Sequence, residues 1–349
     1  MPVVTNGRVI FNEIPEGYPE PGKTVVYDEA ETLDLDSVVL NGGILVKTLV
    51  LSADPYMRGQ MRDPSIETYV AAFTLGKPIY GYGIGVVLRS ESTEYKTGDH
   101  VHGHFDYKHY QVIQENNLSN LRGTIKRHPK LPWTAYTGVA GGSGRTALYA
   151  WRTFAQAKPG NTVFVTTGAG PVGSMVIQIA KSEGLRVIAS AGTDDKVAFV
   201  KEIGADVAFN YKTTDTATIL AQEGPLDIYW DNVGGETLDL ALKYAARYAR
   251  FIECGMISGY NHKEGHQMKN LFEIIARRIT ISGFIVGDLA TSDLVKEFEE
   301  VIIPRLAIGE FRFREDITEG LEHAGETLAR IQRGTNVGKT SIVVGREDS

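Results

Sequence analysis

One loop in the sequence has the residue types and spacing to hold a phosphate. Thr166-Thr167-Gly168-Ala169-Gly170-Pro171-Val172-Gly173 contains Gly-x-Gly-x-x-Gly, follows the apolar run Val163-Phe164-Val165 and opens an amphipathic stretch reaching Glu183. Gly168 permits a tight reversal, Gly170 lets a pyrophosphate approach the backbone, and Gly173 lets helix and strand pack closely. Val172 falls in the first helical turn, where N–H groups and the positive end of the dipole meet phosphate charge. Glycine is common here, at 38 residues, so the spacing alone says little. Its place between a strand and a helix is what implies a dinucleotide.

The following strand bears on which dinucleotide. An NAD site usually sets Asp or Glu about 20 residues beyond the loop, on the ribose hydroxyls. Here Val187-Ile188-Ala189 runs into Ser190-Ala191-Gly192, with no acid at the tip. Asp194 and Asp195 come next, where they are expected to cap the following helix. Lys196 after them can meet a 2′-phosphate. The pattern favours NADPH over NADH.

Such a loop needs a sheet to hold it. Six apolar runs, Val163–Val165, Val187–Ala189, Val207–Tyr211, Asp227–Asn232, Arg250–Cys254 and Thr280–Val286, alternate with helical spacing such as Val172, Val176, Ile179 and Ala180. This predicts an α/β domain over residues 136–311, a doubly wound parallel sheet with helices on both faces. Residues 1–135 carry Ile44–Leu51, Gly81–Leu88, His100–His104 and His109–Gln114 between Gly, Pro and Asp, the texture of antiparallel β structure. Lys77–Gly83 reads as a glycine-rich turn or bulge. Residues 312–349 end in the strand-like Thr340–Val344 and are expected to return to the N-terminal domain.

Composition narrows the partners. Of 349 residues, 36 are Lys or Arg and 43 are Asp or Glu, a net charge of −7 that gives no basic surface for nucleic acid. Cys254 is the single cysteine, which excludes an intramolecular disulfide and a Cys-rich zinc site. No run approaches about 18 apolar residues, and Met1-Pro2-Val3-Val4-Thr5-Asn6 lacks the basic start and apolar core of a secretory leader. A cytoplasmic protein with a small-molecule partner and neither nucleic acid nor membrane is expected. His100, His102, His104 and His109 invite a metal reading. His102 and His104, however, alternate along an apparent strand, and a zinc site calls for cysteine or acidic ligands nearby, so no metal is expected.

Six strings occur in one order: Asp54-Pro55-Tyr56-Met57-Arg58-Gly59, the Gly168–Gly173 loop, Ala191-Gly192-Thr193-Asp194-Asp195-Lys196, Asn210-Tyr211-Lys212, Asp231-Asn232-Val233-Gly234-Gly235 and Asn336-Val337-Gly338-Lys339. Together they resemble the zinc-independent medium-chain dehydrogenase/reductases of the alkenal double-bond reductase, leukotriene B4 dehydrogenase and prostaglandin reductase group. The likeness runs from about residue 44 to 344. It implies a GroES-like substrate domain beside a Rossmann domain, a homodimer, and NADPH used without a metal. It sets Lys196 and Tyr211 on the 2′-phosphate, Asn232 along the cofactor groove and Asn336 at the nicotinamide-side phosphate or ribose. Phe284, Ile285 and Val286 would back the nicotinamide, and Cys254 counts among the cofactor-binding residues. Tyr260, in Cys254-Gly255-Met256-Ile257-Ser258-Gly259-Tyr260, matches the tyrosine proposed to touch the substrate carbonyl, and Tyr56 matches a pocket tyrosine. Gly141-Gly142-Ser143-Gly144-Arg145-Thr146-Ala147-Leu148 departs from the group's Gly-Met-x-Gly-Leu-Thr-Ala-Tyr, which alters the expected pocket floor.

Without a metal Lewis acid a simple ketone is hard to polarise. A conjugated enal or enone instead accepts hydride at its β-carbon and moves charge to the carbonyl oxygen, where a neutral hydroxyl such as that of Tyr260 can donate. The expected activity is therefore an NADPH-dependent ene-reductase acting on α,β-unsaturated aldehydes or ketones. A quinone reductase or alcohol-oxidising dehydrogenase of the same fold, and a nucleotide-binding protein without turnover, stay open. On residue type alone, Tyr260 also reads as a surface-loop tyrosine, Tyr211 as a strand cap, Lys196 as a solvated helix lysine and Cys254 as a small buried residue.

Overall fold

A computed structural model describes residues 3–347. The chain divides into two compact units. One takes the described residues up to Gly138, Glu315–Asn336 and those from Thr340 onward; the other takes Val139–Arg314 and Val337–Lys339.

The first unit is built on a sheet whose strands run in the order Glu315–Glu319, Lys339–Val343, Ile44–Ser52, Tyr80–Ser90, His100–Asp106 and Leu121–Thr124, with Tyr110–Ile113 also pairing with Ile44–Ser52. Ile44–Ser52 is antiparallel to each of its partners and buried along its whole length. In the glycine-rich stretch expected to turn or bulge, Lys77–Ile79 precede the strand and Tyr80 opens it, with Tyr80 to Val86 pairing residue by residue with Asp106 to His100. Its glycines make room for neighbours. A Cβ at Gly83 would lie 2.8 Å from Phe105 and 2.9 Å from Leu51, and one at Gly85 would lie 2.4 Å from Val46. Two register shifts fall in the pairing with the other neighbour, between Leu45 and Val46 and between Thr48 and Val50.

The second unit holds six strands: β1 Thr162–Val165, β2 Arg186–Ala191, β3 Val207–Asn210, β4 Leu226–Asp231, β5 Ala245–Glu253 and β6 Thr280–Gly283. Their order is β3-β2-β1-β4-β5-β6 and each pairing is parallel. This is the doubly wound arrangement, in which ligands bind outside the carboxyl ends of the strands where the order reverses, here between β1 and β4. The crossovers contain α1 Pro171–Ser182, α2 Asp194–Glu202, α3 Thr216–Glu223, α4 Gly235–Lys243 and α5 Phe272–Arg277. Val163, Phe164 and Val165 are fully buried, as strands covered on both faces must be. Phe209 of β3, Phe164 of β1, Tyr229 of β4 and Phe251 of β5 form a row with ring centroids 6.1, 5.4 and 5.1 Å apart. Burying each such side chain contributes roughly 1.5–3 kcal/mol, so the row fixes the strands whose ends carry the site. The last strand is shorter than expected. β6 has one neighbour and stops at Gly283, and a 3₁₀ turn begins at Val286, which leaves Phe284 and Ile285 beyond the sheet. No described helix is long and apolar enough to cross a membrane.

Candidate cofactor and substrate site

The glycine loop joins the end of β1 to α1. Gly170 is the N-cap, Pro171 takes the first helical position, and no side chain caps the helix. An anion is the natural acceptor for the first-turn N–H groups around Val172. A Cβ at Gly173 would lie 2.4 Å from the Thr167 carbonyl oxygen, so this crossing tolerates only glycine. Thr167 adopts φ 52°, a left-handed conformation that β-branched residues seldom enter, and its carbonyl accepts the Gly170 N–H at 2.9 Å. A bare backbone cradle held in a strained turn at a helix N-terminus fits a dinucleotide pyrophosphate.

At the tip of β2, Ser190 and Ala191 are buried and no acid is present. The expected capping by Asp194 and Asp195 is corrected by the structure. Thr193 is the N-cap of α2, its hydroxyl accepting the Lys196 N–H at 3.3 Å. The two aspartates are engaged elsewhere: Asp194 accepts from Asn210 Nδ2 at 2.9 Å, and Asp195 pairs with Arg314 at 2.7 Å. Tyr211 follows β3, 52% exposed, with its N–H on the Ala191 carbonyl at 3.1 Å. A Cβ at Gly192 would lie 3.1 Å from its hydroxyl oxygen. Lys196, in the first turn of α2, and Tyr211 therefore both border the acid-free tip.

The ends of β1, β4 and β5 are laced together. The Asn232 backbone N–H donates to Thr166 Oγ1 at 2.8 Å, its Nδ2 donates to the Thr166 carbonyl at 2.7 Å, and its Oδ1 accepts from Trp230 Nε1 at 3.4 Å. The Asn232 side chain thus braces the crevice. Cys254 is partly exposed as a residue, yet burial of its thiol, with Asp231 and Glu253 alongside, pushes the pKa up to about 12. It is a neutral thiol. Tyr260 closes the turn after β5, and its hydroxyl oxygen accepts the Met256 N–H at 3.4 Å. Phe284 packs edge-on to Trp230 with ring centroids 6.2 Å apart, while Ile285 is 42% exposed. In the departing element, Gly142–Ala150 is a helix, Leu148 is fully buried, and the Arg145 guanidinium lies 5.3 Å from the Phe298 ring centre.

In the first unit Tyr56 precedes the short helix Met57–Gln60. Burial, with Asp54, Tyr69 and Tyr80 nearby, raises its pKa far above the ordinary phenol value, against a smaller opposing pull from Arg122. It stays protonated. Arg58 donates to the carbonyls of Gly17 and Pro15 at 2.9 and 3.3 Å, which is a structural use of that string. Asn336 lies between the helix Ala324–Gln332 and the strand Lys339–Val343. The histidines each meet an aromatic ring: His100 stacks on Trp133, His102 bonds the Tyr82 hydroxyl, His104 lies edge-on to Tyr80, and His109 bonds the Tyr27 hydroxyl. Among the described residues no group of three His, Cys, Asp or Glu side chains could hold a metal ion. Sequence inspection assigned no role to Thr166, Asp231 or Glu253. An acid closing the apolar run Phe251-Ile252-Glu253 was the available signal.

A family profile described as "Zinc-binding dehydrogenase" matches residues 171–306, and one described as "N-terminal domain of oxidoreductase" matches residues 8–121. The chain is 37% identical over 350 residues to the "2-alkenal reductase (NADP(+)-dependent)" of Nicotiana tabacum, covering 99% of both. It belongs to the zinc-independent medium-chain dehydrogenase/reductases of the alkenal reductase group. Similarity within the group extends to the "(+)-pulegone reductase" of Mentha piperita, 37% identical over 316 residues, covering 88% of this chain and 89% of that protein. The crystal structure of CurA from Vibrio vulnificus in complex with NADPH superimposes with a TM-score of 0.87 at 28% identity, covering 97% of this chain and 99% of the other. As a member of this group, the chain is an NADPH-dependent oxidoreductase.

Proposed function

We propose that this chain reduces the carbon–carbon double bond of α,β-unsaturated aldehydes and ketones, with Tyr260 donating a hydrogen bond to the carbonyl oxygen. What carries this reading is the position of the Tyr260 hydroxyl, 3.4 Å from the Met256 nitrogen in the turn that follows β5. The tobacco relative is named for 2-alkenals, and this chain takes the same substrate class.

The hydride that adds to the β-carbon comes from bound NADPH. Charge then builds on the carbonyl oxygen, and a neutral phenol donating there is worth most as that charge peaks. The α-carbon takes a proton from solvent or a tyrosine, so one hydride and one proton saturate the double bond. Gly168, Gly170, Val172 and Gly173 hold the pyrophosphate, and Lys196 and Tyr211 the 2′-phosphate. Asn232, Cys254, Phe284, Ile285, Val286 and Asn336 serve the nicotinamide half, and Tyr56 is a pocket tyrosine held neutral. The protein works as a homodimer. Ile281 on the edge strand β6 is 40% exposed, and Phe272 and Ile275 on α5 are 73% and 71% exposed, apolar surface that a second copy would cover. Sedimentation at the dimer mass is expected.

NADPH oxidation measured across short-chain 2-alkenals, enones, quinones and saturated ketones tests the activity. Turnover of enals and enones, with little on the other two classes, is expected. A preference for quinones would replace this function with quinone reduction.

A further inference from the structure

Two carboxylic acids are buried against each other at the ligand end of the parallel sheet. Asp231 closes β4, Glu253 closes β5, and the two are register partners. Asp231 is fully buried. Its Oδ1 accepts the Val233 N–H at 2.8 Å, the Gly234 N–H at 2.9 Å and the Tyr229 hydroxyl at 2.9 Å. Its Oδ2 and both Glu253 carboxyl oxygens are buried without a donor from any other group. Two carboxylates cannot both ionise in such a place, whereas one proton between them satisfies an oxygen on each side. The donors on Asp231 Oδ1 stabilise charge there, which leaves the proton to Glu253.

We propose that Glu253 is held as a neutral acid that donates its O–H to Asp231 Oδ2, and that it is a positioning residue for the two turns bearing Asn232 and Tyr260. Those turns are already joined through the backbone. The Asp231 carbonyl accepts the Cys254 and Gly255 N–H groups at 2.9 and 3.1 Å. The Val233 carbonyl accepts the Ser258 N–H at 3.1 Å and its hydroxyl at 2.6 Å. Asp231 is the pivot of this lacing, and Glu253 is what fixes its second oxygen.

The groups facing Glu253 leave it as the one that titrates within the range from pH 6 to 10. β4 presents Asp231 and Tyr229, its own strand continues into Cys254, β6 presents Gly283 in register, and Thr166, just past β1, lies 3.5 Å from Asp231. Neither acid has an ion pair with Lys, Arg or His among the described residues. Burial raises both the Tyr229 phenol and the Cys254 thiol, so they stay neutral. Burial and the Asp231 charge raise the Glu253 carboxyl to about 9.

The role of Asn232 and Tyr260 rests on the function proposed above, so the test has one arm independent of it. Thermal midpoints and NADPH binding, the latter by fluorescence titration, are measured for wild type, E253Q and E253L from pH 6 to 10. The native state holds a proton that the unfolded chain releases, so wild-type stability falls as pH rises toward 9 and levels beyond. The Gln amide donates without titrating, so the midpoint of E253Q should gain on wild type across that range. Parallel midpoint curves would overturn the shared proton. E253L, which leaves Asp231 Oδ2 without a donor, should bind NADPH roughly tenfold more weakly, the scale of one hydrogen bond to a charged group. E253Q should rescue that loss. NADPH affinity in E253L equal to wild type would overturn the positioning role. Absence of NADPH binding by wild type itself would instead sink the cofactor site, and the thermal arm would still decide the proton.

Discussion

The Tyr260 hydroxyl lies 3.4 Å from the backbone nitrogen of Met256 and accepts its N–H. A Cβ at Gly255 would come within 3.3 Å of the same oxygen, so that glycine gives the hydroxyl its place above the turn. A phenol hydroxyl is both donor and acceptor. Tyr260→Phe is therefore expected to lower kcat roughly 10- to 1,000-fold, the upper end being one full oxyanion donor. NADPH affinity should stay within about twofold, because no phosphate contact is lost. Stopped-flow hydride transfer to short enals measures this, and an unchanged rate would pass the role to Tyr56 or another tyrosine.

Lys196 lies in the first turn of α2 beside a strand tip without an acid, and the nearby aspartates are engaged with Asn210 and Arg314. Lys196→Ala should raise KM for NADPH roughly 10- to 100-fold, as expected for one charge-assisted contact. KM for NADH should barely move. Equal weakening of both cofactors would show that Lys196 does not read the 2′-phosphate.

These features differed in how legible they were from sequence. The glycine loop and the strand before it stood out because consecutive residues encode both the apolar run and the turn. The helix cap after β2 did not. Thr193, Asp194 and Asp195 are all able caps, and Asn210 and Arg314, distant in sequence, occupy the acids. The strand Tyr80–Ser90 was legible as the apolar run Gly81–Leu88, but the reason for its glycines was not, because they answer to Phe105, Leu51 and Val46, which sequence does not place opposite them. Glu253 went unassigned for the same reason. Its meaning lies in the register of β4 against β5, a relation no local pattern carries.

Gly173 crosses the loop after β1 so closely that a methyl group has nowhere to go, since its nearest obstacle is the Thr167 backbone carbonyl. Gly173→Ala should destabilise the fold by roughly 1–3 kcal/mol, the scale of overpacking, and weaken NADPH binding as the loop shifts. Gly265→Ala serves as the control, because nothing lies within 4 Å of a Cβ there. Calorimetry and cofactor titration on the two variants should separate them. Equal behaviour would remove the steric role of Gly173.

Asp239 anchors the far end of the segment that begins at Tyr260. It sits in α4, 4% exposed, with Oδ1 accepting the Lys269 and Asn270 N–H groups at 2.9 and 2.8 Å and Oδ2 accepting Asn270 Nδ2 at 3.0 Å. Burial alone would raise its pKa, but the Asn270 and Lys269 N–H groups outweigh it and hold the carboxyl below its ordinary value. The sign follows from that direction: the carboxylate stabilises the fold fully above its unfolded pKa near 4, and this is lost as pH falls through the lower folded value. Asp239→Asn puts an amide N–H₂ where an acceptor is needed, and should cost about 1.5–3 kcal/mol at pH 7. It should also lower kcat/KM by loosening the segment that carries Tyr260. Thermal midpoints for wild type and variant should converge as pH drops below about 4, where wild type loses the same charge. A gap that persists unchanged into acid would mean that shape, and not the carboxylate charge, holds Lys269 and Asn270 in place.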